Sequence, residues 1–386
     1  MTRFVVHHVG ARFGSTPFEV PARFASGIDL VLFDADEDCV DGLLEQGGPG
    51  GERRRIVAAC LADADGEVEF RLTVNASASS LLEPSEASRG FVQPIFGIDW
   101  DVARCATVIE RRRIHACRLD TLLAARPDIP PPDFLSLDTQ GSESAIIAGA
   151  SEAIRTNVIG LIVEVEFIDL YERVPRFGVI AGQLEEAGFH FAGFRHMIDA
   201  QASRQPIGRR SDGFPVAADA LFLRRIDCTS GPECAGSLLR LAFASVVFGF
   251  LDHAFAALDA AAAPALEPAQ PDWLAFLARL QQIALAEPRL FLPRFPDILP
   301  AHEIRRFARE PDITRWPGMM DTRAWQSEQE LRNGSVHDTL DRLELVGDTP
   351  IEAHLRDHGF AELADRTNLC RRDQAHKLRR FLSGSM

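Results

Sequence analysis

Lysine is almost absent from this chain of 386 residues, where Lys377 is the single one and arginine supplies the other positive charges. The arginine triplets 53–55 and 111–113 each precede a predicted strand, and we expect them to be solvated strand-entry charges. Nucleic-acid binding depends on clustered cations, so a formal net charge of −15 argues against a phosphate backbone as the main partner. We expect a small-molecule partner and no nucleic acid.

The seven cysteines are odd in number, and only Cys228 and Cys234 lie close together in the sequence. A disulfide framework needs paired cysteines, so this usage is typical of a protein in a reducing compartment. Neither of the two has a histidine or cysteine partner at zinc spacing. We therefore predict no disulfide framework and no structural metal.

Long apolar runs are also missing. The longest, residues 241–251, is bounded by Arg240 and Asp252 and is too short to cross ~30 Å of hydrocarbon as a helix. Residues 1–8 lack the apolar core and the small-residue cleavage site of a signal peptide. We expect a soluble, cytoplasmic protein with no membrane partner.

Short apolar segments alternate with helical ones in the first part of the chain. This alternation predicts an α/β fold with a mainly parallel sheet and helices on both faces. The last two strands have no helix between them, which indicates an antiparallel closing pair. The predicted strands are 4–9, 29–33, 55–61, an added strand 68–74, 134–137, 161–167, 189–194 and 218–223, with a helix at 180–188 before the closing pair.

The pattern changes after residue 226. Apolar residues recur at helical spacing over 237–263, and proline-rich breaks follow at 264–271 and 288–300. The sequence thus predicts an α/β domain over 1–226 and an α-helical domain over 227–386. Three roles stay open for the helical domain, which are acceptor recognition, dimerisation into a homo-oligomer and recruitment of a partner.

Carboxylates follow two of the predicted strands. Asp138 comes directly after strand 134–137, and Glu164 and Glu166 lie on one face at the end of strand 161–167. Ligands of open α/β sheets bind outside the carboxyl ends of the strands. Burying a carboxylate costs free energy unless it is paired with another group or hydrated. We predict that these three side chains face one crevice; a helix-capping role for Asp138 stays open.

The first two strands end in residue types that suit a nucleoside ligand. Gly10 and Gly14 follow strand 4–9, where they would let the backbone approach a ligand. Asp34, after the second strand, could accept hydrogen bonds from both ribose hydroxyls. Asp63, after the third, could meet an adenine or form a turn. Structural turns explain the glycines about as well as a ligand does.

Together these residues resemble the FkbM-type S-adenosylmethionine-dependent methyltransferases. The matching positions are Asp138, Gln140, Gly141, Glu143, Gly149, Ala150, Glu164, Phe167 and Tyr171, and the loop 75–84 is similar to the family's Asn and Ser-Ser-Leu loop. The resemblance implies a class I methyltransferase (Rossmann-like) sheet. It also implies methyl transfer from S-adenosylmethionine to a hydroxyl of a small metabolite or sugar.

The resemblance implies site residues as well. Asp138, Glu164 and Glu166 are the candidates for the catalytic base, and His8 is a fourth. The expected contacts to the cofactor come from His8, Gly10, Gly14, Asp34 and Asp63. His8 stands where the family usually has an acidic residue, and Ser136 stands where it often has lysine.

Three alternatives stay open. The two departures at His8 and Ser136 would also fit a protein that keeps the fold and binds the cofactor without transferring a methyl group. Two or three carboxylates at one mouth could hold a divalent cation that assists the transfer. A nicotinamide oxidoreductase is the third alternative, and the missing third glycine of the dinucleotide motif argues against it.

Overall fold

The computed structural model describes residues 3–12, 17–46, 53–88, 91–95, 98–200, 213–228, 234–261, 272–286, 345 and 347–382. Gly14, predicted to contact the cofactor, lies outside these ranges. The contacts divide the chain into two compact units, Met1–Arg279 and Leu280–Met386. The boundary predicted after residue 226 falls inside the first unit. Whether residues 1–226 fold alone stays a prediction.

A seven-stranded sheet forms the centre of the first unit. Its strands are β1 (Phe4–Val9), β2 (Ile28–Asp34), β3 (Arg53–Ala58), β9 (Phe134–Leu137), β10 (Gly160–Glu166), β11 (Phe189–Ala200) and β12 (Phe214–Arg224). Across the sheet they stand in the order β11-β12-β10-β9-β1-β2-β3. The strands β1, β2, β3, β9 and β10 run parallel to one another, whereas β12 is antiparallel to β10 and to β11. The predicted mainly parallel sheet with an antiparallel closing pair is confirmed.

The parallel arrangement brings several strand ends to one edge of the sheet. Gly10 follows β1, Asp34 ends β2, Asp138 follows β9 and Glu166 ends β10. Residues paired across neighbouring strands point to the same face, and Ser136 pairs with both His8 and Ile162. Glu164, two residues beyond Ile162, therefore continues the row that His8 and Ser136 begin.

Helices cover both faces, as predicted. One face carries a core in which Val5, Leu135 and Val163 pack against helical residues such as Ile147 and Leu184. Its helices are α3 (Leu119–Ala125), α4 (Glu143–Gly149), α5 (Ser151–Thr156) and α6 (Phe177–Glu186). A further helix, α1 (Glu37–Gln46), follows β2.

The opposite face is covered by helices that come after the predicted boundary. They are α7 (Cys234–Val247), α8 (Leu251–Ala261) and the start of α9 (Asp272–Ala286). Phe4 of β1 packs its ring 5.7 Å from that of Phe243 and 6.1 Å from that of Trp273. Phe134 of β9 stacks on Phe248 at 5.3 Å. These helices share an aromatic core with the sheet.

The predicted third strand is two strands. After β3, the backbone N–H of Ala59 donates to Asp34 O, and β4 (Cys60–Leu61) then pairs in a second, three-stranded sheet. This sheet has the order β4-β8-β5, with β5 at Gly66–Thr73 and β8 at Val108–Cys117. Between them lie a hairpin of β6 (Val92–Ile95) and β7 (Ile98–Asp101) and the short helix α2 (Val102–Cys105).

Besides the end of α9, the described part of the second unit contains the helices α10 (Pro350–Asp357) and α11 (Ala361–Leu382). Thr349 caps α10 in a capping box with Glu352, whose side chain is fully buried. Arg371 of α11 neutralises Glu352 across an N–O distance of 3.1 Å. Across the described ranges, no helix combines the length and the apolar character needed to cross a membrane.

Candidate active site at the carboxyl edge of the sheet

A cleft with about 670 Å³ of empty space opens at the carboxyl edge of the parallel strands. Residues after β1, β2 and β9 form its floor, and residues of the second sheet and of loop 75–82 form its wall. The lining residues are Val9, Gly10, Arg12, Asp34, Ala35, Ala59, Cys60, Leu61, Phe70, Ala76, Ser77, Ser79, Leu81, Asp138, Thr139, Gln140 and Ser142.

Gly10 lies in the cleft, but packing is what requires a glycine there. Its φ is +88°, and a Cβ at this position would stand 1.7 Å from the backbone oxygen of Asp138. The N–H groups of Gly10 and Ala11 both donate to Phe33 O, at 2.9 and 3.1 Å, so they are not available to an anion. The glycine turn thus joins β1 to β9.

Asp34 ends β2 at the cleft and is almost fully buried. Its Oδ1 accepts from the N–H of Asp36 at 2.9 Å, and the thiol of Cys39 donates to Oδ2 at 3.3 Å. Burial raises the pKa of Asp34, and the hydrogen bond from Asp36 opposes the shift. Each carboxylate oxygen has two lone pairs, so Asp34 can still accept hydrogen bonds from a ligand.

Arg12 is the cationic side chain of the cleft. Its guanidinium lies 2.8 Å from Oδ2 of Asp36, and Arg112 approaches the other carboxylate oxygen of Asp36 at 3.3 Å. Asp36 also accepts the N–H groups of Cys39 and Val40 with its backbone oxygen, so it begins α1. Arg12 thereby stands fixed beside the floor of the cleft while its side chain stays partly exposed.

The wall near β4 is apolar. Ala59, Cys60 and Leu61 line it together with Phe70 of β5. Asp63 lies just beyond, exposed in a bend, and the structure does not bring it to the cleft. The prediction placed Asp63 at a strand end of the main sheet, but the chain has already crossed to the second sheet at Cys60.

Asp138 and Glu164 meet at the mouth of the cleft. Asp138 is exposed and Glu164 is half-buried next to it. Both carboxyl groups accept a hydrogen bond from the side-chain amide of Gln140, which brings them close together. Burial and the charge of Asp138 raise the pKa of Glu164 well above its ordinary value. Glu164 therefore favours its neutral form.

Gln140 bridges these two carboxyl groups. Its Nε2 donates to Oδ1 of Asp138 at 2.9 Å and to Oε2 of Glu164 at 2.5 Å. Its Oε1 lies 3.1 Å from the hydroxyl of Tyr171, which also reaches the backbone oxygen of Ala78 at 2.9 Å. Gln140 has a φ of +60°, which is uncommon for a residue other than glycine.

Glu143 gives the loop after β9 its shape. Its Oε1 accepts from the N–H and the hydroxyl of Thr139, at 2.6 and 2.9 Å, and its Oε2 accepts from the N–H of Gly141 at 2.9 Å. Burial raises the pKa of Glu143 to about 7. Glu143 thus fixes the loop before α4, and the N-cap residue Ser142 makes no side-chain capping bond. The capping role that the sequence left open for Asp138 is not seen, since its side chain accepts from Gln140 instead.

Glu166 and His8 lie beneath the mouth and do not line the cleft. Glu166 is buried, burial raises its pKa to about 8, and its Oε2 has no hydrogen-bond partner among the described residues. His8 is buried and its Nδ1 lies 2.8 Å from the hydroxyl of Ser136. Burial lowers the pKa of His8, although the charge of Asp138 opposes this.

The structure therefore unites part of the predicted set. Gly10, Asp34 and Asp138 line the cleft, and Glu164 contacts Asp138. Sequence reasoning gave no role to Arg12 or Gln140, although Arg12 lies inside the glycine turn and Gln140 inside the matched motif. Within the described ranges, no group of three or more His, Cys, Asp or Glu side chains is arranged to hold a metal ion.

Fold and cleft together define a class I methyltransferase scaffold, since the sheet ends in the antiparallel pair of that class and opens at the carboxyl ends of its central strands. Residues 8–191 match the model of the Methyltransferase FkbM domain, so this segment is similar to that family.

The solved structures that are similar to the chain include two methyltransferases. One is methyltransferase FkbM from Methylobacillus flagellatus KT, with 12% identity, a TM-score of 0.31, and coverage of 57% of this chain and 44% of that one. The other is magnesium protoporphyrin IX methyltransferase (ChlM) from Synechocystis PCC 6803 with bound SAM. It has 12% identity, a TM-score of 0.29, and coverage of 58% of this chain and 71% of that one. The chain thus spans less than half of the first. No curated protein matches the chain.

Proposed function

We propose that the protein transfers a methyl group from S-adenosylmethionine to a hydroxyl of a small metabolite or sugar. The observation that carries the proposal is the cleft in the segment matched by the FkbM model, which Asp34 and Asp138 both line and where Gln140 connects Asp138 to Glu164. Asp34 suits hydrogen bonding to a ribose, and the carboxyl groups of Asp138 and Glu164 suit a proton transfer.

The residues present fit S-adenosylmethionine. Asp34 has acceptor capacity left for ribose hydroxyls, and the apolar wall of Ala59, Leu61 and Phe70 suits an adenine. Arg12 is the cation that we assign to the methionine carboxylate, since the N–H groups of Gly10 and Ala11 are already used. When bound, this cofactor supplies an electrophilic methyl group on a sulfonium.

Asp138 is our choice for the base that takes the proton of the acceptor hydroxyl. It is exposed at the mouth, whereas Glu164 favours its neutral form and Glu166 is buried away from the cleft. Glu164 then assists by donating a hydrogen bond to the Asp138 carboxylate. The remaining task of the protein is to hold donor and acceptor in line.

Release of S-adenosylhomocysteine over a panel of hydroxylated metabolites tests the proposal. We expect wild-type release with at least one acceptor and a loss of about 10²–10⁴-fold in Asp138→Asn, because a positioned base contributes that much. Glu164→Gln should lose less, since a neutral amide replaces a predominantly neutral acid. Asp63→Asn, exposed outside the cleft, is the matched control and should retain wild-type turnover.

Two outcomes would contradict parts of this account. Full turnover in both Asp138→Asn and Glu164→Gln would discard both residues as the base and leave Glu166 or His8. Cofactor binding without release over the whole panel would favour a binding protein that keeps the fold. The buried contact between His8 and Ser136 is the feature that favours this second candidate, because it occupies positions where the family usually carries charged side chains.

A further inference from the structure

We propose that Gln140 is a positioning residue that holds the carboxyl groups of Asp138 and Glu164 together as one proton-sharing pair. The use of this pair on an acceptor rests on the function proposed above. The pairing itself depends only on the geometry of the protein without ligands.

The amide of Gln140 uses both of its N–H groups on the pair. Nε2 lies 2.9 Å from Oδ1 of Asp138 and 2.5 Å from Oε2 of Glu164, so one nitrogen fixes the separation of two acidic side chains from different strands. Two carboxylates that bond the same nitrogen would repel each other if both were charged. A shared proton together with the two donated hydrogen bonds offsets this repulsion. The bridge therefore favours the state in which the two carboxyl groups together carry a single negative charge.

Three further contacts hold Gln140 in place. Its Oε1 lies 3.1 Å from the hydroxyl of Tyr171 and can accept from it. Its Nε2 faces the carboxyl oxygens of Asp138 and Glu164, whose role as acceptors fixes the orientation of the amide. Its backbone oxygen accepts from the hydroxyl of Ser80 at 2.6 Å. Its left-handed backbone is kept by Glu143, which binds the N–H groups on either side of it at Thr139 and Gly141.

The consequence concerns the protonation of the pair. N–H donors favour the ionised form of a carboxyl group, so the removal of the bridge should raise the apparent pKa at which the pair loses its shared proton. Other titratable groups face the same region and must be separated from the pair in any titration. They are His8 on β1, Glu143 on α4, Glu166 on β10 and Asp219, which pairs with Glu164 across β12.

The chain contains a single tyrosine, so Tyr171 offers a probe within hydrogen-bond distance of the bridge. Protein labelled with ¹³C at the tyrosine ζ carbon gives one tyrosine signal, whose chemical shift is followed against pH in the absence of cofactor. The titration step that disappears in Glu164→Gln is assigned to the pair. We expect this step to move upward by about one pH unit in Gln140→Asn, which tolerates the left-handed backbone but is too short to span both carboxyl groups.

Gln140→Gly removes the same bridge and relieves the backbone, so it replaces Gln140→Asn if the latter does not fold. Gln183→Asn is the matched control, since Gln183 bonds only Ser144 among the described contacts and should leave the step unmoved. An unshifted step in Gln140→Asn or Gln140→Gly, or a tyrosine signal that Glu164→Gln does not alter, would overturn the proposal. Failure of cofactor binding in a separate wild-type experiment would instead count against the proposed function.

Discussion

At the scale of the residue, Glu166 makes the stability of the protein depend on pH. Burial raises its pKa to about 8 from an ordinary 4.5, so the folded state retains a proton that the unfolded state releases. The stabilisation of the folded state by this retained proton is fully present below pH 4.5. It is lost as the pH rises towards 8, and the free energy of unfolding then falls by up to about 1.4 kcal/mol per pH unit.

We therefore predict that Glu166→Gln, which cannot ionise, loses less stability than the wild type between pH 5 and pH 8. Thermal melts at both pH values measure the difference. Glu186→Gln, exposed on α6, is the control and should follow the wild type. If Glu166→Gln and the wild type lose the same stability over this interval, Glu166 is ionised in the folded protein and the assignment is wrong.

Individual side chains were predictable from the sequence where strand ends were predictable. Asp34 and Asp138 reach the cleft because each directly follows a buried strand of the main sheet. Asp63 lies outside the cleft for a local reason, since the chain changes sheets before reaching it. The role of Gln140 could not be predicted, because it depends on a backbone conformation that glutamine rarely adopts.

At the scale of the element, the turn after β1 depends on a close approach to β9. Gly10→Ala would place a Cβ 1.7 Å from Asp138 O in a backbone with φ of +88°. We predict destabilisation of more than about 1 kcal/mol, because alanine is strained at positive φ and the contact forces a backbone shift.

Chemical denaturation of Gly10→Ala beside Gly42→Ala measures this effect. Gly42 lies within α1, and nothing in the described structure approaches a Cβ at that position within 4 Å. Gly42→Ala should be neutral or stabilising by about 0.5–1 kcal/mol, since alanine favours a helix. Equal stability of the two variants would mean that β1 and β9 do not approach as closely as the structure shows.

The central strands of the main sheet, β1, β2, β9 and β10, were predictable because they are short and largely apolar. The strand β8 was not, since half of its residues are exposed and the sequence analysis places its arginine triplet before a strand. That triplet lies inside β8, where Arg111 pairs with Glu69 and Glu83. Residues 53–55 likewise lie inside β3. Polar strands stabilised by ion pairs lack the apolar period on which the prediction relied.

At the scale of the whole molecule, the structure offers a second boundary beside the one predicted after residue 226. Phe4 and Phe134 lie in an aromatic core with Phe243, Phe248 and Trp273. A fragment of residues 1–226 would expose this face of the sheet, and each large apolar side chain that loses its burial costs about 1.5–3 kcal/mol.

We predict that residues 1–286, which retain α7 to α9, unfold at a higher temperature than residues 1–226. Calorimetry of both fragments, with the full chain as reference, decides between the boundaries. A fragment 1–226 as stable as fragment 1–286 would support the boundary predicted from the sequence and would show that α7 to α9 add little to the core.

The central claim is that the cleft binds S-adenosylmethionine through Asp34, and calorimetric titration of this cofactor tests it most directly. We predict that Asp34→Ala weakens binding roughly ten- to a hundredfold, the effect of losing hydrogen bonds to a charged group. Asp63→Ala, outside the cleft, should bind like the wild type. Unchanged affinity in Asp34→Ala, or an affinity lost in Asp63→Ala instead, would contradict the account.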